Sequence, residues 1–477
     1  MKMTGGEKDI DMAKQLAARV RAQGGRAYYV GGYVRDRLLD IENKDIDIEV
    51  HGIEAHTLEE ILDSLGKRHA MGESFGIFTL KGYGLDIAMP RKERVIGMGH
   101  RDFETFTDPF IGTYEAAKRR DFTIGALMMD VLTEEVTDHF GGLCDLENGI
   151  LRHVCAETFV EDPLRVLRLA QFAARFGFSV AEETRSLCRT MNLSHLSRER
   201  VWEELRKALL KAPKPSVFFE VLRSTDRLSE WFPEVKNLVG VQQNPTYHAE
   251  GDVFTHTMMV LDEAAKYRDC VSDPLGFMLT ALCHDFGKAI CTETVDGKIR
   301  SYGHETRGLP LVRQFLSRLT NETKRIAYVM NLTEYHMRPN ALAAFGSSVK
   351  ATNTMYDSVT APKDLFYFAK SDHFGRICSA ESVFHEAFLA ERLEVYEQIM
   401  REPYVMGKDL LAAGLQPSPL LSRLLAYAHK LRLTGMKKEE ALKQTLAYAR
   451  ELQKSPCAKK EKNERYSKRS PKGTPHE

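Results

Sequence analysis

The chain has 477 residues, enough for two to four domains around at least one large core, and its 67 basic residues balance 67 acidic ones. Attraction to a nucleic acid must therefore come from local basic patches, since a net charge of zero gives no global field. Eight cysteines with no Cys-x-x-Cys pair argue against a disulfide framework or a cysteine-ligated zinc, and the lack of a signal core or long apolar run points to the cytoplasm with no membrane partner.

In chain order, residues 8–23 pattern as a helix. From Arg26 to Leu151 short β-like runs alternate with helical ones. AYYVGG, DIDIEVHG, FGIFTL and GLDIAMPR are the clearest strands, because β-branched and aromatic residues recur between glycine-rich turns. Beyond about residue 155 strand signals nearly vanish and apolar residues recur at helical spacing, as in VLRLAQFAARF and VWEELRKALL. The expected fold class is therefore α+β. A mixed α/β head spans 1–152, an all-α neck 153–240, a histidine-bearing helical domain 241–400, a helical cap 401–455 and a disordered basic tail 456–477. Segment 161–214 holds eleven Lys/Arg against seven Asp/Glu, which makes it the RNA-facing candidate, although a solvated helix face carries charge in the same way.

In the head, Gly31-Gly32 joins a strand to a helix and leaves backbone N–H groups free for an anion, though most such joints are only turns. Thirteen residues on, Asp45 and Asp47 lie two apart on a strand and so on one face. Adjacent carboxylates repel unless a cation lies between them, and Mg²⁺, which demands oxygen ligands, suits the pair. Glu49 shares that face, so a solvated acidic strand edge is the alternative. Asp86 supplies a third carboxylate; with its strand beside the first, the three can hold two metals for in-line phosphoryl transfer.

In the neck, Asp162 and Arg165 are three apart and share a helix face if the helix begins by Pro163. A carboxylate accepts and a guanidinium donates, which matches the amino donor and ring-nitrogen acceptor of cytosine and adenine and mismatches guanine and uracil. A wrong base then leaves buried polar groups unpaired at about 1–3 kcal/mol each. The same spacing also makes an ordinary surface salt bridge.

Taken together, GGYVRDRLLDIENKDIDIEVHG resembles the signature of class II tRNA nucleotidyltransferases and bacterial poly(A) polymerases. KRRDFTIGAL resembles the second motif of that family, which implies ribose and triphosphate contacts from Arg119, Arg120 and Asp121, beside nucleotide contacts at Gly31, Gly32 and Arg35. Gly125 stands where the family usually has Asn. DHFGGLCDLENGILRHV resembles the third motif. VEDPLRVLR resembles the fourth, with base-reading residues Asp162, Arg165 and Arg168. SRERVWEELRK, with Glu199, Arg200 and Glu204, resembles the fifth, which orients the base-reading helix. A long, flexible Glu93–Lys118 segment and the lack of a long basic C-terminal extension resemble the CCA-adding branch. The resemblance implies Mg²⁺-dependent addition of C, C and A to tRNA from CTP and ATP; A-only addition and polyadenylation are its rivals.

In the third region His256, the doublet His284-Asp285 and Asp372 follow the H…HD…D order of HD-type phosphohydrolases, and their mixed imidazole and carboxylate ligands suit a divalent transition metal. His304 and His336 complete a second metal or bind phosphate, and Lys288 binds phosphate or is a solvated helix-end charge. This region resembles the HD domain of long bacterial CCA-adding enzymes, which implies metal-dependent phosphatase and cyclic phosphodiesterase activity. A hydrolase whose head merely binds nucleotide or RNA is the alternative from another class. Oligomeric state leaves no mark on the sequence.

Overall fold

The computed structural model describes residues 5–71, 77–95, 103–378 and 383–454. Two compact units divide the chain: Met1–Lys236 with Arg318–Thr320, and Asn237–Ser317 with Asn321–Glu477.

The first unit opens with helix α1 (Gly5–Ala22), strand β1 (Arg26–Val30), α2 (Gly32–Leu38), β2 (Ile46–His51) and α3 (Ala55–Leu65). Strands β3 (Arg68–Met71), β4 (Ile77–Leu80), β5 (Leu85–Ala88), β6 (Arg91–Val95) and β7 (Phe103–Thr107) follow, then α4 (Thr113–Lys118), β8 (Met128–Asp130) and β9 (Val136–Thr137). Seven of these strands make one mixed sheet in the order β3-β4-β5-β2-β1-β8-β9. β2 and β5 run parallel, which puts Asp47 opposite Asp86, while β1 pairs antiparallel with both β2 and β8. The period-2 pattern of β2 buries Ile46, Ile48 and Val50 and turns Asp47 and Glu49 to the other face. Tyr28, Val30, Ala117, Ala126 and Met128 pack into one core cluster beside the sheet.

Helices α5 (Gly142–Glu147), α6 (Ala156–Phe159), α7 (Leu164–Phe176), α8 (Glu182–Cys188), α9 (Arg198–Lys211), α10 (Ser216–Ser224) and α11 (Pro233–Lys236) follow, with a short parallel strand pair, Ile150–Leu151 and Ser179–Val180, that puts strand into the neck expected to be all helix. α7 buries Val166, Leu167, Leu169, Ala170, Ala173 and Ala174 and keeps Arg165, Arg168 and Arg175 off that face, an amphipathic pattern that fixes where its arginines project.

Among the described residues the second unit is helical apart from one hairpin, Glu293–Val295 with Lys298–Arg300. Its helices are α12 (Val253–Ala265), α13 (Pro274–Cys283), α14 (Lys288–Cys291), α15 (His304–Arg307), α16 (Leu309–Leu319), α17 (Thr323–Tyr335), α18 (Arg338–Ala344), α19 (Val349–Asp357) and α20 (Pro362–Phe374). α21 (Glu386–Arg401), α22 (Gly407–Ala412), α23 (Leu420–Arg432) and α24 (Lys438–Lys454) follow. α13 is apolar all round and buried along its length; Pro274 and the Asp273 side chain, which accepts from Gly276 N, start it. The last three helices share a small core built on Leu410, Leu424, Ala428, Ala441 and Ala449.

Two expectations need correction. Glu93–Lys118 is not one flexible loop: β6 and β7 form an antiparallel backbone ladder from Arg91↔Thr107 to Val95↔Phe103, and α4 closes the segment. Residues 96–102, and the expected tail over 456–477, lie outside the described residues. Strand also persists past residue 155. Asp296 and Gly297, both at positive φ, make the hairpin's two-residue turn, a Val-Asp-Gly-Lys signal present in the sequence. No helix among the described residues is long and apolar enough to cross a membrane, and the described cysteines are free thiols.

Candidate nucleotide and metal sites

The first site lies in the head. A cavity of about 380 Å³ is lined by the carboxylates Asp47, Glu49 and Asp86 and by Arg91, Arg119, Arg120 and Arg165. Asp45 is exposed one residue before β2 and so shares the alternation of Asp47. Burial raises the Asp47 carboxyl above its usual range; Arg120 opposes that, while Asp86 and Asp45 push it further up by repulsion. Such a cluster is relieved by a divalent cation, and an all-oxygen donor set on a strand face fits Mg²⁺. Glu49 differs. Burial would raise it, but His51 Nε2 at 2.8 Å and Arg120 at 3.3 Å hold it below the usual carboxylate range. It is thus a partner that orients Arg120, a role that no spacing signal announces.

Gly31, at φ 65, backs onto this site. A Cβ there would be strained by the backbone angle and would press on an Arg120 guanidinium nitrogen at 3.2 Å and on Asp47 Oδ2 at 3.4 Å, which favours glycine. Gly32 stands farther round, with a built Cβ 3.5 Å from Arg35 and 3.7 Å from Asn43.

The arginines divide by what they touch. Arg119 donates to the Arg91 carbonyl at 2.6 Å, and Arg165 donates to the carbonyls of Thr158 and Arg119 at 2.7 and 2.8 Å. Arg168 donates at 2.6 Å to Asp121, whose carboxyl is held below the usual range because Arg168 outweighs the burial that would raise it. That pair ties α7 to the loop before the short 3-10 turn Thr123–Gly125. At Gly125 a Cβ meets nothing nearer than Asp121 Oδ1 at 3.5 Å, so nothing in the packing demands glycine there.

Two sequence expectations change here. Asp162 and Arg165 do not pair: α7 begins at Leu164, and Asp162 precedes it, accepting from Leu164 N at 3.1 Å and from Arg200 at 2.7 Å. Arg35 does not line the cavity. It is 4% exposed, bonded to Asp36 at 2.7 Å, and its guanidinium lies 4.5 and 5.2 Å from the Phe176 and Phe172 ring centres. Asp36 also accepts from Asn43, and Arg175 lies 3.6 Å away, so Arg35 belongs to a buried network that fastens α2 to α7.

The second site is in the other unit. His256 on α12, His284 and Asp285 at the end of α13, and Asp372 on α20 converge, as do His304 and His336. His256 Nε2 is 3.3 Å from Asp372 Oδ1 and 3.6 Å from Asp285 Oδ2; His284 Nε2 is 3.2 Å from Asp285 Oδ2. On the other carboxylate oxygen, Asp285 Oδ1, His304 Nε2 stands at 3.2 Å and His336 Nε2 at 3.9 Å. Asp285 thus faces two sets of ligand atoms.

Tautomers follow from the outer ring nitrogens. Nδ1 of His284, His304 and His336 lies within 2.9, 2.8 and 2.6 Å of the carbonyls of Ala281, Ser301 and Thr333, which assigns the proton to Nδ1 and leaves Nε2 a lone pair. His304 Nε2 and His336 Nε2 then face each other at 3.3 Å, an arrangement that calls for a cation or an added proton between them. Burial, with the nearby His304 and His284, pushes His336 down to about 3, whereas Asp285 raises His304 against its burial, so an added proton belongs on His304 and a cation is the other way to satisfy the pair. His284 Nε2 and both Asp285 oxygens are buried without a well-aligned hydrogen bond; ion contacts alone reach them. These orphaned donors and their mixed nitrogen and oxygen chemistry fit a divalent transition metal. Lys288, 2.7 Å from Asp285 and 2.8 Å from the Gln243 side-chain oxygen, is an internal partner and not a solvated charge. Gly287 makes the arrangement possible: a Cβ there would sit 2.0 Å from the His304 carbonyl oxygen. Sequence order does not reveal His248, Glu250 or Gln243 as members of this cluster.

A mixed sheet with strand-borne carboxylates under an arginine-lined cavity, followed by a helical neck, defines a nucleotidyltransferase head of the poly(A) polymerase type. Residues 27–152 match the poly A polymerase head domain family, and 177–238 match a family described as a probable RNA and SrmB-binding site of polymerase A. The multifunctional CCA protein of Laribacter hongkongensis is 42% identical over 302 residues, 62% of this chain and 70% of that relative. That of Actinobacillus pleuropneumoniae is 37% identical over 323 residues, 66% of this chain and 76% of the relative. Among solved structures, the fold is similar to the Thermotoga maritima CCA-adding enzyme complexed with tRNA, with TM-score 0.63, 20% identity and coverage of 94% of this chain and 100% of that one. It is also similar to a CCA-adding enzyme in complex with CTP, with TM-score 0.64, 19% identity, and 94% and 95% coverage. The chain belongs to the multifunctional CCA protein family.

Proposed function

We propose that this chain adds C, C and A to the 3′ end of tRNA from CTP and ATP without a nucleic-acid template, in the cytoplasm. The observation that carries the reading is the parallel register that sets Asp47 beside Asp86 in the cavity that Arg119, Arg120 and Arg165 also line. Asp45, Asp47 and Asp86 would hold Mg²⁺, which supplies charge neutralisation for the attacking hydroxyl and the leaving pyrophosphate. Arg119 and Arg120 bind the triphosphate, with Glu49 keeping Arg120 in place. Arg165 donates to the ring nitrogen of cytosine or adenine, and Asp162, steadied by Arg200, accepts from the amino group with a lone pair its present partners leave free. Asp121 and Arg168 hold the neck helix to the head so that the base is read where the triphosphate is bound.

The second unit is a metal-dependent phosphatase or phosphodiesterase acting on RNA ends or nucleotides. Support comes from the orphaned His284 Nε2 and Asp285 carboxylate oxygens, gathered with His256 and Asp372 into one buried group that would hold a divalent transition metal. The two chemistries separate by mutation. Asp47→Ala removes nucleotide addition by at least about 10³-fold, in line with several kcal/mol of lost charge stabilisation, and leaves phosphatase activity intact. His284→Ala does the reverse. Loss of both activities in either variant, folded by circular dichroism, contradicts the two-site reading.

A further inference from the structure

We infer that Glu250, a residue outside the H…HD…D pattern, is a positioning residue that holds His256 through Nδ1 so that Nε2 faces the metal-binding space. The inference rests on the proposed metal-dependent reading of this cluster. Three of its histidines anchor Nδ1 on carbonyls three residues back, at helix ends or turns where those of Ser301 and Thr333 carry only long backbone bonds of 3.4 and 3.5 Å. His256 cannot do so. It lies in the first turn and a half of α12, where the helix uses its own carbonyls. Its ring is 1% exposed, and Glu250 Oε1 takes the place of the missing carbonyl at 3.1 Å from Nδ1, an ion contact without the alignment of the three carbonyl bonds.

Glu250 is itself fixed on every side. The same Oε1 is 2.9 Å from His248 Nδ1, Oε2 accepts from Ile377 N at 2.9 Å, and the backbone of Ala249 donates to the Ile377 carbonyl at 2.7 Å. One buried carboxylate therefore ties the segment before α12 to the segment five residues past Asp372, and sets His256 relative to Asp372. A carboxylate behind a ligating imidazole fixes the tautomer and raises the basicity of the other nitrogen, and losing such a partner weakens metal affinity about 10–100-fold. His248, Glu250 and His256 also lie close enough to hold an ion among themselves. That arrangement would need the Nδ1 lone pairs, whereas the positioning role needs Nδ1–H on both rings, so metal stoichiometry separates the two.

The test is titration of the full-length, chelator-stripped chain with Co²⁺, following heat and the ligand-field spectrum, for wild type, Glu250→Gln and Glu250→Asp. The expected result is affinity reduced about 10–100-fold in Glu250→Gln, with unchanged stoichiometry at saturation, a shifted Co²⁺ spectrum and unchanged nucleotide addition by the head. Glu250→Asp, which keeps the charge but shortens the reach, falls between. Unchanged affinity with a lower melting temperature of the metal-free protein reduces Glu250 to a structural residue and overturns the inference, as does loss of one metal equivalent. No Co²⁺ uptake by wild type overturns the metal-centre reading itself, and the inference with it.

Discussion

Arg35 shows how one side chain separates a binding role from a structural one. Its guanidinium, bonded to Asp36 and lying over Phe172 and Phe176, leaves the cavity to Arg119, Arg120 and Arg165. Arg35→Ala strands the buried Asp36 carboxylate and is expected to lower stability by about 3 kcal/mol in denaturant unfolding. The Michaelis constants for ATP and CTP stay as in wild type at a temperature where both fold; a rise in either with stability intact would return Arg35 to the nucleotide. The sequence cannot make this distinction, because VGGYVRDRLLD puts Arg35 within reach of either role and only the fold decides between them. Asp47, in contrast, is legible: alternation with Ile46 and Ile48 requires it on the polar face of whatever strand forms.

Elements bring together what spacing along the chain cannot. Asp45 and Asp47 announce one face of a strand, but the parallel β2/β5 pairing that adds Asp86 joins residues 39 positions apart at Asp47↔Asp86. Asp162 and Arg165 illustrate the opposite case. Their spacing implies a shared helix face, yet the helix begins after Asp162, which pairs with Arg200 on α9. The Asp121–Arg168 pair, joining α7 to the head, carries a pH signature. Burial raises Asp121, and Arg168, with Arg165 and the Phe122 N–H, more than reverses this, so the folded carboxyl sits below its ordinary 3.8. Its contribution is full above the unfolded value and is lost as pH falls through the lower folded one. Asp121→Asn should therefore destabilise the protein by about 2 kcal/mol at pH 7 and flatten the loss of stability below about pH 4. Thermal melts across pH 2–7 check this; parallel curves for variant and wild type would mean the pair adds nothing.

Across the whole molecule, two separate carboxylate-rich centres sit in two compact units, one suited to oxygen-loving Mg²⁺ and one to a nitrogen-binding metal. The α+β class and the order of motifs are visible in the sequence because each rests on local periodicity. The network of Glu250, His248 and Gln243 around the second centre is not, since each is a lone polar residue in a loop until the fold gathers it. The most direct test of the central claim is incorporation of labelled CTP and ATP, singly and together, into tRNA transcripts lacking CCA, lacking only A, or complete, with Mg²⁺ present. Two C additions followed by one A and arrest are predicted. A-only addition, open-ended A tails or no incorporation would contradict it.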